Sequence, residues 1–468
     1  MSPNPKEKER HESLPPSQSA NTSRASSPRS PLGDKKLIMQ RWGENDPASI
    51  DDYLARDGYS ALRFAVKEMK PFEVIEEVAK VRLRGRGGAG FPVAEKWEIA
   101  AAVAKAPKVI IANAYGADPS AAGDRALLER NPHQLIEGLA IAAYAVGAER
   151  GYIYCRSNLA QALGRLQQAL QQAKERGLVG EGVFGTHGFT ISIVPAPVAF
   201  VNGEETALLA VIEGTRPMPR QRPPYPAEIG LWGLPTVINN AETLANLPPL
   251  IRDRGKEFGA VGSEKTKGTK LLTLQGRLAS NGLVEVPFGM TLRRVIDSVA
   301  GGTRQGATLK AVQVGGPIGG CLPVDLLDTP LDYETLAEVG ATVGSGSLLA
   351  LDRETCMVDF ARFRLTYLQN EACGRCIPGR LGTNRINGIL EAIVSGLGKK
   401  GDLELLEELA AGVRESSLCG LCALATQPLL TTLKYFRDDY VAHVEEKRCP
   451  TGKCTPVRTE AFRRNKVL

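Results

Sequence analysis

The chain has 468 residues, 43% hydrophobic and 24% charged, with a formal net charge of +6 at pH 7. That length exceeds what one hydrophobic core normally serves, so two to four domains are expected, at roughly one per 100–200 residues. No apolar run reaches the roughly 18 residues of a membrane-spanning helix, and an aromatic content of 6% with dispersed basic residues singles out no nucleic-acid surface.

Nine cysteines, four of them in two C-x-x-C groups, point to a reducing, cytoplasmic setting and to metal, not to a disulfide framework. Residues 1–40 open on the charged run KEKERHE and continue through Ser/Pro-rich sequence without an apolar signal core, so they read as a disordered tail.

From 46 to 79 apolar residues recur at helical spacing, which predicts two short helices. The next stretch, Leu83 to Trp97, reads L-R-G-R-G-G-A-G-F-P-V-A-E-K-W. Gly85, Gly87, Gly88 and Gly90 allow close backbone approach to a ligand. Arg84, Arg86 and Lys96 add positive charge, and a helix starting near Ala94 would offer free N–H groups to an anion. By spacing alone this is equally an ordinary glycine-rich turn.

Lys108 to Ala112 reads as a buried parallel strand ending in Asn113-Ala114-Tyr115-Gly116, which puts polar groups at a strand's carboxyl end, where open α/β sheets bind ligands. A helix over 132–146, a strand over 151–155, a helix over 158–176 and a strand over 189–194 continue a Rossmann-like α/β pattern, predicted to fill residues 41–260 as a cofactor-binding domain. Within it, Gly203-Glu204-Glu205-Thr206-Ala207 places two carboxylates at a helix start, a ligand site or simply favourable helix charge. Arg222-Pro-Pro-Tyr225-Pro and Pro235-Thr-Val-Ile-Asn239-Asn240-Ala-Glu-Thr243 read as loops, the second with paired amides able to face a flavin.

Residues 261–350 read as a small mixed domain, with strands near 271–276, 283–286, 311–314 and 347–351 and a helix over 291–299, carrying no catalytic set. From Cys356 to His443 the pattern is helical, predicting a four-helix bundle over 351–445 with helices at 357–370, 385–395, 403–415 and 427–444. Cys373, Cys376, Cys419 and Cys422 sit at its helix ends. Paired C-x-x-C thiolates hold an iron–sulfur cluster or zinc, and the spacing does not choose between them. In the tail over 446–468, Cys449 and Cys454 with His443 just upstream make a possible zinc site needing a fourth ligand from elsewhere.

These motifs in this order, G-R-G-G-A-G-F-P…K-W, G-E-E-T-A, P-T-x-x-N-N-x-E-T, G-G-P-x-G-G-C-L-P, D-x-x-T-C-M-V-D and the helical cysteines, resemble the NADH-oxidising 51 kDa-type flavoprotein subunit of respiratory complex I. The run L-K-Y-F-R-D-D-Y-V-A-H-V-E-E-K-R-C-P looks most like the subunits of bifurcating or soluble hydrogenases and NAD-linked formate dehydrogenases. The resemblance covers about residues 45 to 455. It implies FMN in the first domain, a ubiquitin-like second domain, and a bundle with a [4Fe–4S] cluster that passes electrons from NAD(P)H to a thioredoxin-like [2Fe–2S] partner and further Fe–S subunits. Carried over, FMN would meet Gly85, Arg86, Gly87, Gly90, Lys96, Asn113, Gly203, Glu204, Asn239, Asn240 and Thr243. NAD(H) would meet Phe91, Glu205, Arg222 and Tyr225. The hydride chemistry belongs to the cofactors.

Three departures from the family pattern stand out. N-A-D-E is Asn113-Ala114-Tyr115-Gly116 here, so two acids are gone, and a tyrosine is expected to fill their space. Asp118 survives in a segment that has lost a glycine and a long side chain. C-x-x-C-x-x-C has Gly379 at its third cysteine, while Cys422 stands where the family has glycine, which suggests that Cys422 supplies the missing thiolate. The alternative to a catalytic subunit is a relative that has lost nucleotide or flavin binding and serves as an electron wire or scaffold.

Overall fold

The computed structural model describes residues 36–454 except 45, 105–106 and 186–187. The expected tail over 1–40 therefore lies, but for its last residues, outside the described part, as does the end of the 446–468 segment. No described helix is long and apolar enough to cross a membrane.

Four strands, β1 (Lys108–Asn113), β2 (Ala148–Arg156), β3 (Thr190–Ala196) and β4 (Thr236–Asn240), form an all-parallel sheet in the order β3-β2-β1-β4. Val109, Ile110, Ile111 and Ala112 are all buried, as expected for a central parallel strand covered on both faces. The segment expected as a loop at 235–243 is instead β4 followed by the helix Ala241–Ala245. Pairing with β1 overrode its turn-like amides. The β1–β4 register sets Asn113 opposite Asn240, so both amides leave the same sheet edge together.

Before the sheet, three helices stand where two were expected, Ile50–Leu54, Ser60–Glu68 and Pro71–Lys80. Pro71 starts the third because its fixed φ suits a helix's first turn and its missing N–H costs nothing there. The central helix Pro132–Val146 is buried on nearly every side. It carries His133, whose Nδ1 meets Tyr59 Oη at 3.1 Å and whose Nε2 meets Gln172 Oε1 at 3.2 Å.

Burial draws His133 down from 6.5 to about 4, because the imidazolium loses its hydration. The unfolded chain thus binds this proton at a higher pH than the folded one. The stability that His133 contributes is complete above pH 6.5 and is lost as pH falls towards 4, by about 3 kcal/mol in all. Unfolding midpoints across that window should fall less steeply in His133→Gln than in the parent protein.

A second sheet, β5 (Thr269–Gly276), β6 (Gly282–Pro287), β7 (Leu309–Val314), β8 (Gly320–Pro323) and β9 (Ser347–Asp352), is mixed, in the order β6-β5-β9-β7-β8. It has its own core around Leu272, Val286, Val312 and Leu348. The helical part has a third core around Leu365, Ile389, Leu406 and Leu433. Helices Met357–Asn370, Thr383–Val394 and Asp402–Ser416 match expectation. The last expected helix is broken, into Gln427–Tyr435 and Arg437–Val444, and the short helix Gly420–Ala425 precedes it. A plain four-helix layout is therefore replaced by a shorter-stepped one, with Phe436 (φ −131°) as the break.

A buried ion pair ties the first two sheets' layers together. Glu242, two residues past the end of β4, holds Lys270 Nζ and also accepts the Leu271 N–H at 2.8 Å. The side chains of Lys270 and Glu242 are 0% and 2% exposed.

Candidate functional site

Beyond the carboxyl ends of β1 and β4 lies a cleft of about 500 Å³, within the range of cofactor sites. All three parts of the chain build its wall. The glycine loop contributes Gly87, Gly88 and Ala89, the strand ends Asn113 and Asn240, and the turn before the helix Glu205–Ile212 contributes Gly203 and Glu204. The second sheet's loops add Gly315, Thr342, Gly344 and Ser345. Arg414, Leu421 and Gln427 come from the helical part. The small mixed domain, read as carrying no catalytic set, closes one side of it.

The glycine loop is held both by its backbone and by its two arginines, whose charges are spent on its own support. Gly85 N–H donates to Phe91 O at 2.9 Å, and Gly85 O accepts from Tyr333 Oη at 2.6 Å. A Cβ on Gly87 would sit 3.1 Å from Asn240 Cβ, so glycine lets the loop lie against the strand end. Arg84 pairs with Glu334 at 2.6 Å. Arg86 is fully buried, donates to the carbonyls of Arg84, Lys267 and Thr269, and lies over the Phe288 ring. Neither guanidinium is in the cleft wall, so an anion here would be met by loop N–H groups and not by the arginines expected to surround it.

Of the residues assigned to FMN by resemblance, Gly87, Asn113, Gly203, Glu204 and Asn240 reach the cleft. Asn239 accepts from Trp97 Nε1 at 2.9 Å and Thr243 Oγ1 accepts the Arg86 N–H at 2.8 Å, so both brace the wall from behind. Gly90 sits against the Tyr333 ring. Lys96 donates to Ile238 O at 3.0 Å and lies 3.6 Å from Glu205 and 5.9 Å from the Phe91 ring centre. It therefore groups with two of the residues assigned to the nucleotide. The other two are Arg222, 3.9 Å from Glu204, and Tyr225, half exposed. Glu204 is also a helix cap, accepting from Thr206 and Ala207 N–H, so the helix-charge reading holds for a residue that also lines the cleft.

Tyr115 is not among the residues that line the cleft. Its ring is buried against Tyr154, and its hydroxyl donates to Pro197 O and accepts from Ala199 N at 2.8 Å. Gly116 is left at the cleft, at φ +58°. Two acids that the carried-over assignments lack, Asp118 and Asp124, do line it. Asp118 Oδ1 is taken by Ser120, while buried Oδ2 has no partner and occupies the place of the Cβ that Gly316 lacks. Burial raises both carboxyls' pKa. The paired amides of Asn113 and Asn240 and the glycine-lined wall suit a ligand rich in donors and acceptors, such as a ribityl flavin.

An apolar bridge, with Val201, Ala207, Leu421 and the partly buried Phe200, joins the cleft to Cys373, Cys419 and Cys422. A second group lies elsewhere. Cys356, His443, Cys449 and Cys454 have their ligand atoms within 4.8 Å of one another. His443 Nδ1 faces Asp439 O at 2.6 Å, which leaves Nε2 for the sulfurs, at 3.6 Å from Cys356 and 3.4 Å from Cys454. Donation from Cys454 Sγ, with help from His443, draws Cys356 down to about 4. Burial opposes the charging of His443, yet hydrogen bonding to Cys356 raises it to about 9. Cys356 stands where the fourth ligand that the sequence pattern left unassigned would be. The D-x-x-T-C-M-V-D motif marks the residue, but nothing local joins it to the tail, since it stands 87 residues before His443.

Residues 78–249 match the profile of the Nuo51 FMN-binding domain, and residues 359–443 that of the NADH-ubiquinone oxidoreductase-F iron–sulfur binding region. The chain is 43% identical over 425 residues to the HndC subunit of the NADP-reducing hydrogenase of Solidesulfovibrio fructosivorans, covering 91% of this chain and 86% of that one. It is 41% identical over 415 residues to an F-type subunit of the NADH-quinone oxidoreductase of Rhizobium meliloti (strain 1021), covering 88% and 99%. Among solved structures, a chain of the NAD⁺-reducing [NiFe]-hydrogenase in the H₂-reduced state is similar at TM-score 0.77 and 32% identity, over 87% of this chain and 68% of that one.

Proposed function

The chain belongs to the 51 kDa-type flavoprotein family that includes the F-type subunits of NADH-quinone oxidoreductase, and from that premise we infer that it is the electron-entry subunit of a multisubunit oxidoreductase. It is an oxidoreductase subunit that uses FMN, NAD(H) and a [4Fe–4S] cluster. The observation that carries the reading is the cleft itself, walled on one side by the glycine loop and paired amides and on the other by Leu421, between two cysteines.

FMN supplies hydride exchange with the nicotinamide and release of electrons singly. The residues of this chain do the positioning. Gly87, Gly88 and Ala89 would hold the phosphate through their backbone, and Asn113, Asn240 and Asp118 would line its polar edge. Phe91, Lys96 and Glu205, with Arg222 and Tyr225, form the outer face where a nucleotide docks. Phe200, Val201 and Leu421 keep water from the path to Cys373 and Cys419, which leaves less solvent to reorganise when an electron moves. The domain reading that goes with this is a cofactor domain over 41–260, a ubiquitin-like domain over 261–350, a helical cluster domain over 351–445 and a short C-terminal segment. The working setting is cytoplasmic, beside a thioredoxin-like [2Fe–2S] subunit and further Fe–S subunits of a hydrogenase, formate dehydrogenase or complex I-like assembly.

Anaerobic purification, with flavin and iron quantified and a visible spectrum taken before and after NADH, tests this. Flavin near one per chain that bleaches with NADH is the expected result. Iron without flavin would overturn it in favour of an electron wire that has lost its site, the reading that Tyr115 and Gly116 favour.

The Cys₃His group suits zinc, with His443 neutral and the thiols ionised on binding. In Cys356→Ser, zinc content should fall by more than half while iron and flavin stay constant, measured on one sample by metal analysis.

A further inference from the structure

Gly379 has no conformational need to be glycine. It lies in the helical turn Pro378–Gly382 and is not among the residues with positive φ. What surrounds it is sulfur. A Cβ built there would lie 2.5 Å from Cys422 Sγ, 3.1 Å from Cys376 Sγ and 3.2 Å from Cys422 Cβ. A carbon cannot approach a nonbonded sulfur so closely, so a side chain at 379 and the Cys422 thiol exclude each other. Cys422 is 2% exposed, is hydrogen-bonded to Cys419, and interacts electrostatically with Cys373 and Cys376.

A buried cysteine alone is ordinarily a small hydrophobe, and alanine would serve as well in that role. Here the thiol instead projects into the one corner that a third cysteine of the 373–379 loop would fill. Resting on the iron–sulfur reading above, we propose that Gly379 and Cys422 are the two halves of one exchange: the fourth cluster thiolate has moved from the loop to the helix Gly420–Ala425, and glycine at 379 makes room for it. Cys419 and Cys422 then grip the cluster on either side of Leu421, whose side chain lines the cofactor cleft, so two of its four ligands approach from the cofactor's side.

The test compares three variants of the full chain, with iron and acid-labile sulfide measured against flavin and with EPR of the dithionite-reduced protein. Cys422→Ala is expected to lose at least a quarter of its iron and the parent EPR signal while keeping flavin, which reports the fold. Gly379→Cys combined with Cys422→Gly is expected to recover iron and a reduced-cluster signal, with shifted g values because one ligand has changed its backbone. Parent-like iron and EPR in Cys422→Ala would overturn the proposal, and so would failure of the double variant to recover iron. Cys373→Ser separates this from the underlying reading. If it too keeps full iron and the parent signal, these cysteines hold no cluster at all.

Discussion

Gly90→Val is expected to yield a protein without bound flavin, with flavin affinity reduced at least tenfold. Gly90 sits at φ +64°, where a β-branched residue is strained, and its Cβ would fall 2.5 Å from Cδ1 of the Tyr333 ring. Tyr333 has nowhere to go. It is stacked on Phe288, lies under the Arg84 guanidinium at 4.4 Å and donates to Gly85 O. Strain of about 1–3 kcal/mol at this residue therefore passes into the loop that presents Gly87 and Gly88 to the cleft. Flavin-to-protein ratio by visible absorption, with helix content by circular dichroism as the control, decides it. Flavin retained at the parental ratio would show that the loop tolerates the distortion.

Glu242→Ala should destabilise the protein by about 3–5 kcal/mol, because it strands the Lys270 ammonium in a wholly buried place and removes the acceptor of the Leu271 N–H. Glu242 follows Asn240 by two residues, so loss of its grip on β5 also loosens the wall of the cleft, and flavin release should accompany the drop in unfolding midpoint. Replacing both partners, Glu242→Met with Lys270→Met, should recover at least half of the lost stability by removing the unpaired charge. Denaturant titration of the three proteins reads the outcome. Equal loss in the single and double variants would locate the effect in packing instead.

Much of the chemistry was legible from local pattern. The glycine loop, the buried run of β1 and the paired C-x-x-C groups each declare themselves within a few residues, since backbone freedom, strand burial and thiolate ligation depend on residue type and spacing. Strand β4 was not legible, because Asn239 and Asn240 look like turn residues until β1 lies alongside. The break at Phe436 was likewise hidden inside an apparently continuous helical period.

Residue order alone was enough for the family, the cofactor chemistry and the α/β class with its parallel sheet. It was not enough for where side chains point. Arg86, read as a phosphate neighbour, is spent on three backbone carbonyls; Tyr115, read as a space filler, turns into the core. Asp118, Ser345 and Gln427 meet across one cleft from three parts of the chain, and Cys356 joins His443, Cys449 and Cys454 from far upstream in a group that could hold a metal. Such groupings are made by packing between elements distant in sequence, and only the assembled cores select them.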